Sequence, residues 1–465
     1  MRHTKIVATL GPASASEATV DALLAAGVDV FRINSSHGTR DDRRRMVDLV
    51  RRRAAQAGRI VGVLQDLAGP KIRIGQLADP DGVQLEAGAR LRIAVGDFPG
   101  DAERVSTTCE PLAAAVRGGE TLLIDDGQIL LRAVSSDGTE IVAEVEHGGL
   151  LTSRKGINAP GVELPLSAVT DVDMDEIEAG VAMGVDFLGV SFVQSADDLR
   201  KARAMTWAHG GDGVGLVAKI ERPQAIERFD DILAVSDAVM VARGDLGLEI
   251  PLERVPRVQK SLTRRARDAG VPVIVATQVF ETMRHAPRPT RAEVSDAANA
   301  VDDGVDAIML AGETAAGEYP VLVVQTLDAV LRDAESMQPD RVIPGAIGDR
   351  HDRALCDAAV TLAAAAGATS IVAVTGSGAT ARLLAALRPS IPIHGVTADD
   401  AVARQLALHR SVSPLVAAAD RLVQGELKPE LVRRGIVKAG DAVVIARVHS
   451  DLEVEDANFV ELQRF

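Results

Sequence analysis

Short apolar runs alternate with longer amphipathic stretches along most of the chain. Ile6–Leu10 is an apolar run that stops at Gly11-Pro12 and predicts a strand. Ser14 stands three residues before Glu17, a capping-box spacing, and predicts a helix to about Ala26 with Gly27 as its stop. Val28–Ile33 predicts the second strand. Thr39–Ala57 predicts a highly charged helix with one apolar stripe, Met46, Val47, Val50 and Ala54. Its arginines then read as a solvated face rather than a phosphate patch. Ile60–Leu64 predicts the third strand, with Asp66 just beyond it.

From about Pro70 to Pro165 the pattern shortens. Arg90–Val95, Thr121–Ile124 and Glu140–Val145 read as short strands, with Asp126-Gly127, Asp137-Gly138 and Gly148-Gly149 as turns, which predicts an all-β insert. Beyond Pro165 strands are expected at Val185–Ser191, Gly215–Ile220, Ala238–Ala242, Val273–Ala276 and Ala307–Leu310. Helices such as Arg222–Leu233 and Leu252–Ala269 fall between them. Three strands before the insert and five after it make eight, the count of a (β/α)₈ TIM barrel. From about Pro344 a separate αβ unit follows, with strands at Ser370–Val374 and Ile391–Val396. The expected architecture is an α/β chain: a discontinuous barrel (1–69 and 166–340), an inserted β lid domain after strand 3 (70–165) and a C-terminal αβ regulatory domain (341–465).

Composition narrows the partners. The 465 residues are 47% hydrophobic and 25% charged, an ordinary soluble balance. Aromatics are only 2%, so aliphatic side chains must build the core. A net charge of −15, one Trp and one Tyr argue against nucleic acid, which needs a basic surface and stacking rings. Ala358–Ala381 carries no charge but is rich in Ala, Gly, Thr and Ser. It reads as a helix followed by a buried strand rather than a membrane span. Cys109 and Cys356 cannot form a disulfide framework, and the N-terminal apolar run is too short for a signal peptide. A soluble cytoplasmic protein with no membrane and no nucleic-acid partner is expected.

In such barrels the chemistry sits at the C-terminal ends of the strands. Arg32, Asn34, Ser36 and His37 follow the second strand, and Asp66 the third. Lys219 and Glu221 end the fifth. Arg243, Gly244 and Asp245 end the sixth, Thr277 the seventh and Glu313 the eighth. Glu221 and Asp245 are two hard oxygen donors on neighbouring strands, which suits Mg²⁺. The alternative is a pair of ordinary carboxylates neutralised by Lys219 and Arg243. Lys219 is placed to stabilise charge on a phosphoryl group or an enolate, or simply to neutralise Glu221. Arg32 is a phosphate clamp or the ion-pair partner of Asp66.

The motifs TKIVATLGPAS, FRINSSHG, KIERPQAIERFDDIL, VMVARGDLGLEIP, PVIVATQ, PRPTRAEVSDAANAV and IMLAGETAAGEYP resemble the pyruvate kinase family. They run from Thr4 to Pro320, with the insert and C-terminal unit where that family has them. The resemblance implies transfer of a phosphoryl group from phosphoenolpyruvate to ADP. It makes Arg32, Lys219 and Thr277 catalytic, with Gly244 and Asp245 also on the substrate. Glu221 and Asp245 become the Mg²⁺ (or Mn²⁺) ligands. Asn34, His37, Arg73 and Lys155 match nucleotide positions, and Asn34, Ser36, Asp66 and Leu67 the monovalent-cation site. A homotetramer is also implied.

One departure stands in QDLAGPKIRI. K⁺-dependent members carry glutamate where this chain has Lys71, and tend to have threonine where it has Leu67. A lysine ammonium is a tethered monovalent cation, so catalysis without K⁺ is expected; the alternative is that Lys71 only pairs with Asp66 or faces solvent, and K⁺ still binds. In the C-terminal unit, TGSGATA offers backbone amides for an effector phosphate near Thr375, Ser377, Gly378 and Thr380. A plain tight turn competes with that reading. The tail lacks the family's glycine-rich effector loop. Two other functions stay open: a Mg²⁺-dependent barrel lyase or aldolase acting on pyruvate-type substrates, and a non-catalytic metabolite sensor.

Overall fold

The computed structural model of the chain describes residues 2–337, 350–417, 427–448 and 458–465. Eight parallel strands close into a barrel: β1 (Lys5–Thr9), β2 (Val30–Asn34), β3 (Gly62–Asp66), β4 (Phe187–Val190), β5 (Gly215–Ile220), β6 (Ala238–Ala242), β7 (Val273–Ala276) and β8 (Ala307–Leu310). They are buried along nearly their whole length, as expected of parallel strands covered on both faces. β5 to β8 begin and end where the apolar runs do. β2, β3 and β4 start two residues later than the runs, because ladder pairing such as Val30 with Gly62 begins only there. β2 and β3 consequently extend to Asn34 and Asp66, which pair with each other in register.

The insert contains a six-stranded sheet ordered Ile157–Asn158, Thr121–Ile124, Ile129–Ser136, Glu140–His147, Arg90–Val95 and Arg104–Thr107. Asp126-Gly127 and Asp137-Gly138 are hairpin turns, the former with Asp125, Asp126 and Gly127 all at positive φ. Gly149, expected in a turn, instead opens a strand paired with Val83–Leu85. The insert is also not all β, since Glu110–Ala115 is a short helix.

Three helix expectations change. The first helix, Glu17–Ala26, is capped by Ser16, whose hydroxyl accepts from Thr19 N–H, while Ser14 accepts from Gly11 N–H. Gly27 does end it, in the left-handed conformation. The expected helix Arg222–Leu233 is two short helices broken at Arg228, and Leu252–Arg254 is a 3₁₀ turn before the helix Val255–Asp268. Helix Arg40–Gln56 carries a capping box between Thr39 and Asp42. It buries Val47, Leu49, Val50, Ala54 and also Arg43, while Met46 is half-buried.

The C-terminal unit is a five-stranded sheet ordered Val412–Val416, Ile393–Thr397, Ser370–Val374, Ala442–Arg447 and Phe459–Arg464, with only the last antiparallel. The uncharged stretch from Ala358 holds the end of helix Arg350–Ala365 and the buried strand Ser370–Val374. No helix among the described residues is long and apolar enough to cross a membrane. The junction expected at residue 341 and tail residues 449–457 lie outside the described residues.

This unit docks against the N-terminal ends of the barrel strands. Leu408 packs into the barrel interior with Val7, Val30, Leu64, Phe187 and Met240. Lys5 Nζ donates to Val412 O at 2.6 Å, and Arg404 Nε to Asp186 Oδ1 at 2.8 Å. Gly62 permits the approach, because a Cβ there would lie 3.1 Å from Arg404 O. Leu408→Ala would leave a cavity at the barrel floor and is expected to cost about 2–5 kcal/mol. Denaturant unfolding of the full chain checks this, and an unchanged midpoint would show that the floor packing contributes little.

Candidate active site

At the opposite end of the barrel the strand termini gather a buried charge cluster. Asp66 is 1% exposed. Its Oδ2 accepts from Arg32 Nε at 2.7 Å and lies 2.7 Å from Arg32 Nη2. Its Oδ1 lies 3.1 Å from Lys219 Nζ. Lys219 Nζ also donates to Ser191 Oγ at 2.6 Å and stands 2.9 Å from Glu221 Oε1. Glu221 Oε2 accepts from Phe192 N–H at 2.7 Å. Arg32 additionally donates to Thr9 Oγ1 at 3.2 Å. Five strand ends therefore contribute to one network, and both expected ion pairs, Arg32 with Asp66 and Lys219 with Glu221, are present.

Burial works against every charge here, and the neighbours decide the outcome. For Asp66, burial favours the neutral form, but Lys219 and Arg32 outweigh it and hold the carboxyl below the usual range. For Lys219, burial is overcome by Asp66 and Glu221, so the ammonium is held more firmly than an ordinary lysine. For Glu221, burial wins over Lys219, with the Asp245 charge adding to it, and the carboxyl is pushed up.

That last shift bears on the metal. Asp66, Glu221 and Asp245 supply three negative charges, against two positive from Arg32 and Lys219. Glu221 Oε1 is buried and faces only the Lys219 ammonium, 2.9 Å away. No group of three His, Cys, Asp or Glu forms an all-protein metal cage among the described residues. Two carboxylates with surplus negative charge fit Mg²⁺, which keeps sites for water and substrate oxygens. Arg243 does not pair with Asp245 as one alternative required; its Nη1 bonds Asp296 Oδ1 and Oδ2 at 2.7 and 2.6 Å.

Arg243 instead holds the loop after β7. It donates to Thr277 O at 2.9 Å and Gln278 O at 3.1 Å, and both residues have positive φ, 68° and 53°. A threonine in that conformation is strained. The strain aims Thr277 Oγ1 at Gly244 N–H, 2.7 Å away, while the hydroxyl donates to Ala276 O at 2.6 Å. Glu313, read as a strand-end polar group, is buried and accepts from Ala311 N–H and Phe280 N–H at 2.7 and 3.1 Å. It staples two loops.

Of the remaining expected residues, Asn34 and Leu67 border this cluster and the others, among the described residues, make no contact with it. Asn34 Oδ1 accepts from Ser36 N–H at 3.0 Å, and Ser36 and His37 are exposed. Leu67 is buried and its carbonyl accepts from Ser191 Oγ at 2.7 Å. Arg73 is exposed and donates to Arg154 O at 2.9 Å; Lys155 pairs with Asp125 at 2.8 Å. Lys71 is exposed, and it is Arg32 and Lys219 that face Asp66. In the C-terminal unit Thr375 and Gly378 are buried, and Gly378 (φ 86°) precedes helix Ala379–Ala386. Ser377 is exposed. Thr380 Oγ1 is engaged by Val448 N–H and O, both at 3.2 Å.

The strand-end set on a closed barrel, a fixed ammonium and guanidinium beside carboxylates, suits a phosphotransferase. Residues 1–324 match the family described as pyruvate kinase, barrel domain, and residues 353–462 that described as pyruvate kinase, alpha/beta domain. A pyruvate kinase of Agrobacterium vitis is 42% identical over 453 residues, 96% of this chain and 94% of that one. One of Geobacillus stearothermophilus is 40% identical over 458 residues, 96% of this chain and 77% of that one. The crystal structure of a pyruvate kinase from Cryptosporidium parvum superposes with a TM-score of 0.90 at 31% identity, covering 100% of this chain and 96% of that one. The chain belongs to the pyruvate kinase family.

Sequence reasoning passed over Ser191, a lone serine at the end of an apolar run. It accepts from Lys219 and donates to the Leu67 carbonyl, so it orients the ammonium. Ser191→Ala is expected to lower kcat roughly tenfold, about 1.4 kcal/mol, with little change in KM, and Ser191→Thr to restore it. Steady-state kinetics of the two variants check this; equal loss in both would assign Ser191 to packing alone.

Proposed function

We propose that the protein transfers the phosphoryl group of phosphoenolpyruvate to ADP, giving pyruvate and ATP, the last step of glycolysis. The observation that carries this reading is the buried Lys219 ammonium, held among Ser191, Asp66 and Glu221 at the barrel mouth beside Arg32. Phosphoryl transfer needs positioned positive charge more than covalent chemistry. Arg32 turns from Asp66 to the phosphoryl oxygens, and Lys219 stabilises them in transit. Mg²⁺ or Mn²⁺ held by Glu221 and Asp245 would, when bound, offset charge on the substrate oxygens.

The Gly244 amide, which donates to Thr277, is the donor for the substrate carboxylate. The Thr277 hydroxyl must also turn from the Ala276 carbonyl, to which it donates, before it can pass a proton to the carbon, and it is then reprotonated from solvent. Arg73 and Lys155, with Asn34 and His37, take the nucleotide as the insert closes over the mouth and excludes water.

Lys71 takes the place of K⁺ in this account. Its exposed side chain must then swing toward Asp66 on closure, past a monovalent-cation position made of Asn34, Ser36, Asp66 and Leu67. A phosphorylated effector at Thr375, Ser377 and Gly378 would use the Ser377 and Gly378 amides, since Thr375 N–H donates to Val396 O and Val448 engages the Thr380 hydroxyl. A cytoplasmic homotetramer completes the proposal.

Pyruvate release from phosphoenolpyruvate, ADP and Mg²⁺ is expected in K⁺-free tetramethylammonium buffer, with less than a twofold gain on adding KCl. A strict KCl requirement would keep the kinase and remove the role of Lys71. No turnover in either buffer would favour a lyase or a sensor.

A further inference from the structure

The loop after β2 follows Asn34 and carries Ser36 and His37, and little of it is packed. Ser36, His37 and Gly38 are exposed, and Gly38 turns at φ 69°. Its start is tied to the barrel, since Ser35 N–H donates to Asp66 O at 2.9 Å. Beyond that point one side chain gathers it. Helix Arg40–Gln56 shows Arg40, Arg44, Arg45 and Arg52 to solvent, but Arg43 turns inward and is 4% exposed. Its Nη1 donates to the carbonyls of His37, Gly38 and Ser35 at 3.0, 3.1 and 3.4 Å. The path of the loop therefore follows one guanidinium.

A buried guanidinium is tolerated when its counter-charge is fixed. Here the counter-charge comes from helix Asp171–Met183, the first helix after the insert. Glu176 Oε1 lies 2.7 Å from Arg43 Nη2, and the residue is buried. Glu176 Oε2 accepts from Gln65 Nε2 at 3.1 Å, and the same amide donates to Ser35 Oγ at 3.0 Å. Helix and strand approach this closely because residue 180 is glycine; a Cβ there would lie 2.2 Å from Gln65 Oε1. One turn before Glu176, Asp173 Oδ1 accepts from Gly69 N–H at 3.1 Å, where the chain leaves the barrel for the insert. The start of one helix thus grips the root of the insert with Asp173 and the loop after β2 with Glu176.

We propose that Arg43, seated on Glu176, is the positioning residue of the loop after β2, and that helix Asp171–Met183 thereby sets Asn34 and His37 against the insert. This rests on the reading of Asn34 and His37 as nucleotide positions. An exposed loop presents groups accurately only when a supporting shell locks it. A planar guanidinium can bond backbone carbonyls and a carboxylate at once, whereas a lysine ammonium is a point charge on a flexible stem. Arg43 touches no substrate in this account; it holds the backbone between groups that do. The groups assigned to phosphoenolpyruvate stand on strand ends that Arg43 does not reach, so its loss falls on ADP.

The test compares Arg43→Gln and Arg43→Lys with the original chain by steady-state kinetics and by amide hydrogen exchange without ligands. Arg40 Nε, 3.2 Å from Glu176 Oε1, remains to neutralise the carboxylate, so Arg43→Gln is expected to fold. Exchange at residues 35–38 should quicken in Arg43→Gln while strands β6 and β7 keep their protection. KM for ADP is expected to rise about tenfold, with KM for phosphoenolpyruvate and kcat within about twofold. Arg43→Lys, which keeps the charge without the fork, should recover part of the ADP loss. Equal rises in both KM values, a fall in kcat alone, or loop exchange unchanged from the original would overturn the proposal. Absence of ADP turnover in the original chain would refute the transfer reading, and the exchange comparison would still decide whether Arg43 holds the loop.

Discussion

Asp66 is a buried carboxylate held between the guanidinium of Arg32 and the ammonium of Lys219, and the working end of the barrel is built around it. Such a charge is tolerated only when its partners are fixed. The ladder fixes them: Asp66 pairs in register with Asn34 on one side and Gly189 on the other. A Cβ at residue 189 would lie 3.1 Å from Asp66 Oδ1, so the neighbouring strand leaves room for the carboxylate by carrying glycine. With Asp66 in place, Lys219 has its position, and Lys219 in turn sets Glu221. The cluster keeps one negative charge too many, which a divalent cation at Glu221 and Asp245 would reverse to a net positive charge facing the substrate.

The two ends of the same strands do different work. β1 carries Lys5 into the floor contact and Thr9 to Arg32 at the mouth. The segment through β4 carries Asp186 to Arg404 at the floor and Ser191 to Lys219 at the mouth. Strands β1 to β8 are short and packed on both faces, so they transmit position rather than absorb it. Docking of the C-terminal unit through Leu408, Arg404 and Arg388 therefore touches barrel segments that also carry residues of the mouth cluster.

Much of this was legible in the chain. Apolar runs marked all eight barrel strands, and reading the run ends and the one to three residues beyond them singled out Arg32, Asp66, Lys219, Glu221, Asp245 and Thr277 as candidates. What escaped depends on tertiary contacts that no local pattern carries. Ser16 rather than Ser14 caps the first helix, because Ser14 is drawn back to Gly11 N–H. Arg243 looked like a partner for Asp245 but holds a strained loop and pairs with Asp296, 53 residues away. Lys71 looked like a neighbour of Asp66 because only four residues separate them. Gly69, at φ 64° and with no room for a Cβ against Phe192 at 2.9 Å, turns the chain so that Lys71 faces out.

In the proposed reaction Lys219 stabilises transferring charge and does not merely neutralise Glu221 and Asp66. The most direct test replaces Lys219 by Met and measures Mn²⁺ binding and phosphoryl transfer on the same preparation. Removing the ammonium that competes for Glu221 Oε1 is expected to leave Mn²⁺ affinity unchanged or higher. Phosphoryl transfer is expected to fall about 10³-fold, the scale of losing one pre-organised charge in a water-excluded site. Transfer within tenfold of the original enzyme, with Mn²⁺ still bound, would contradict the account.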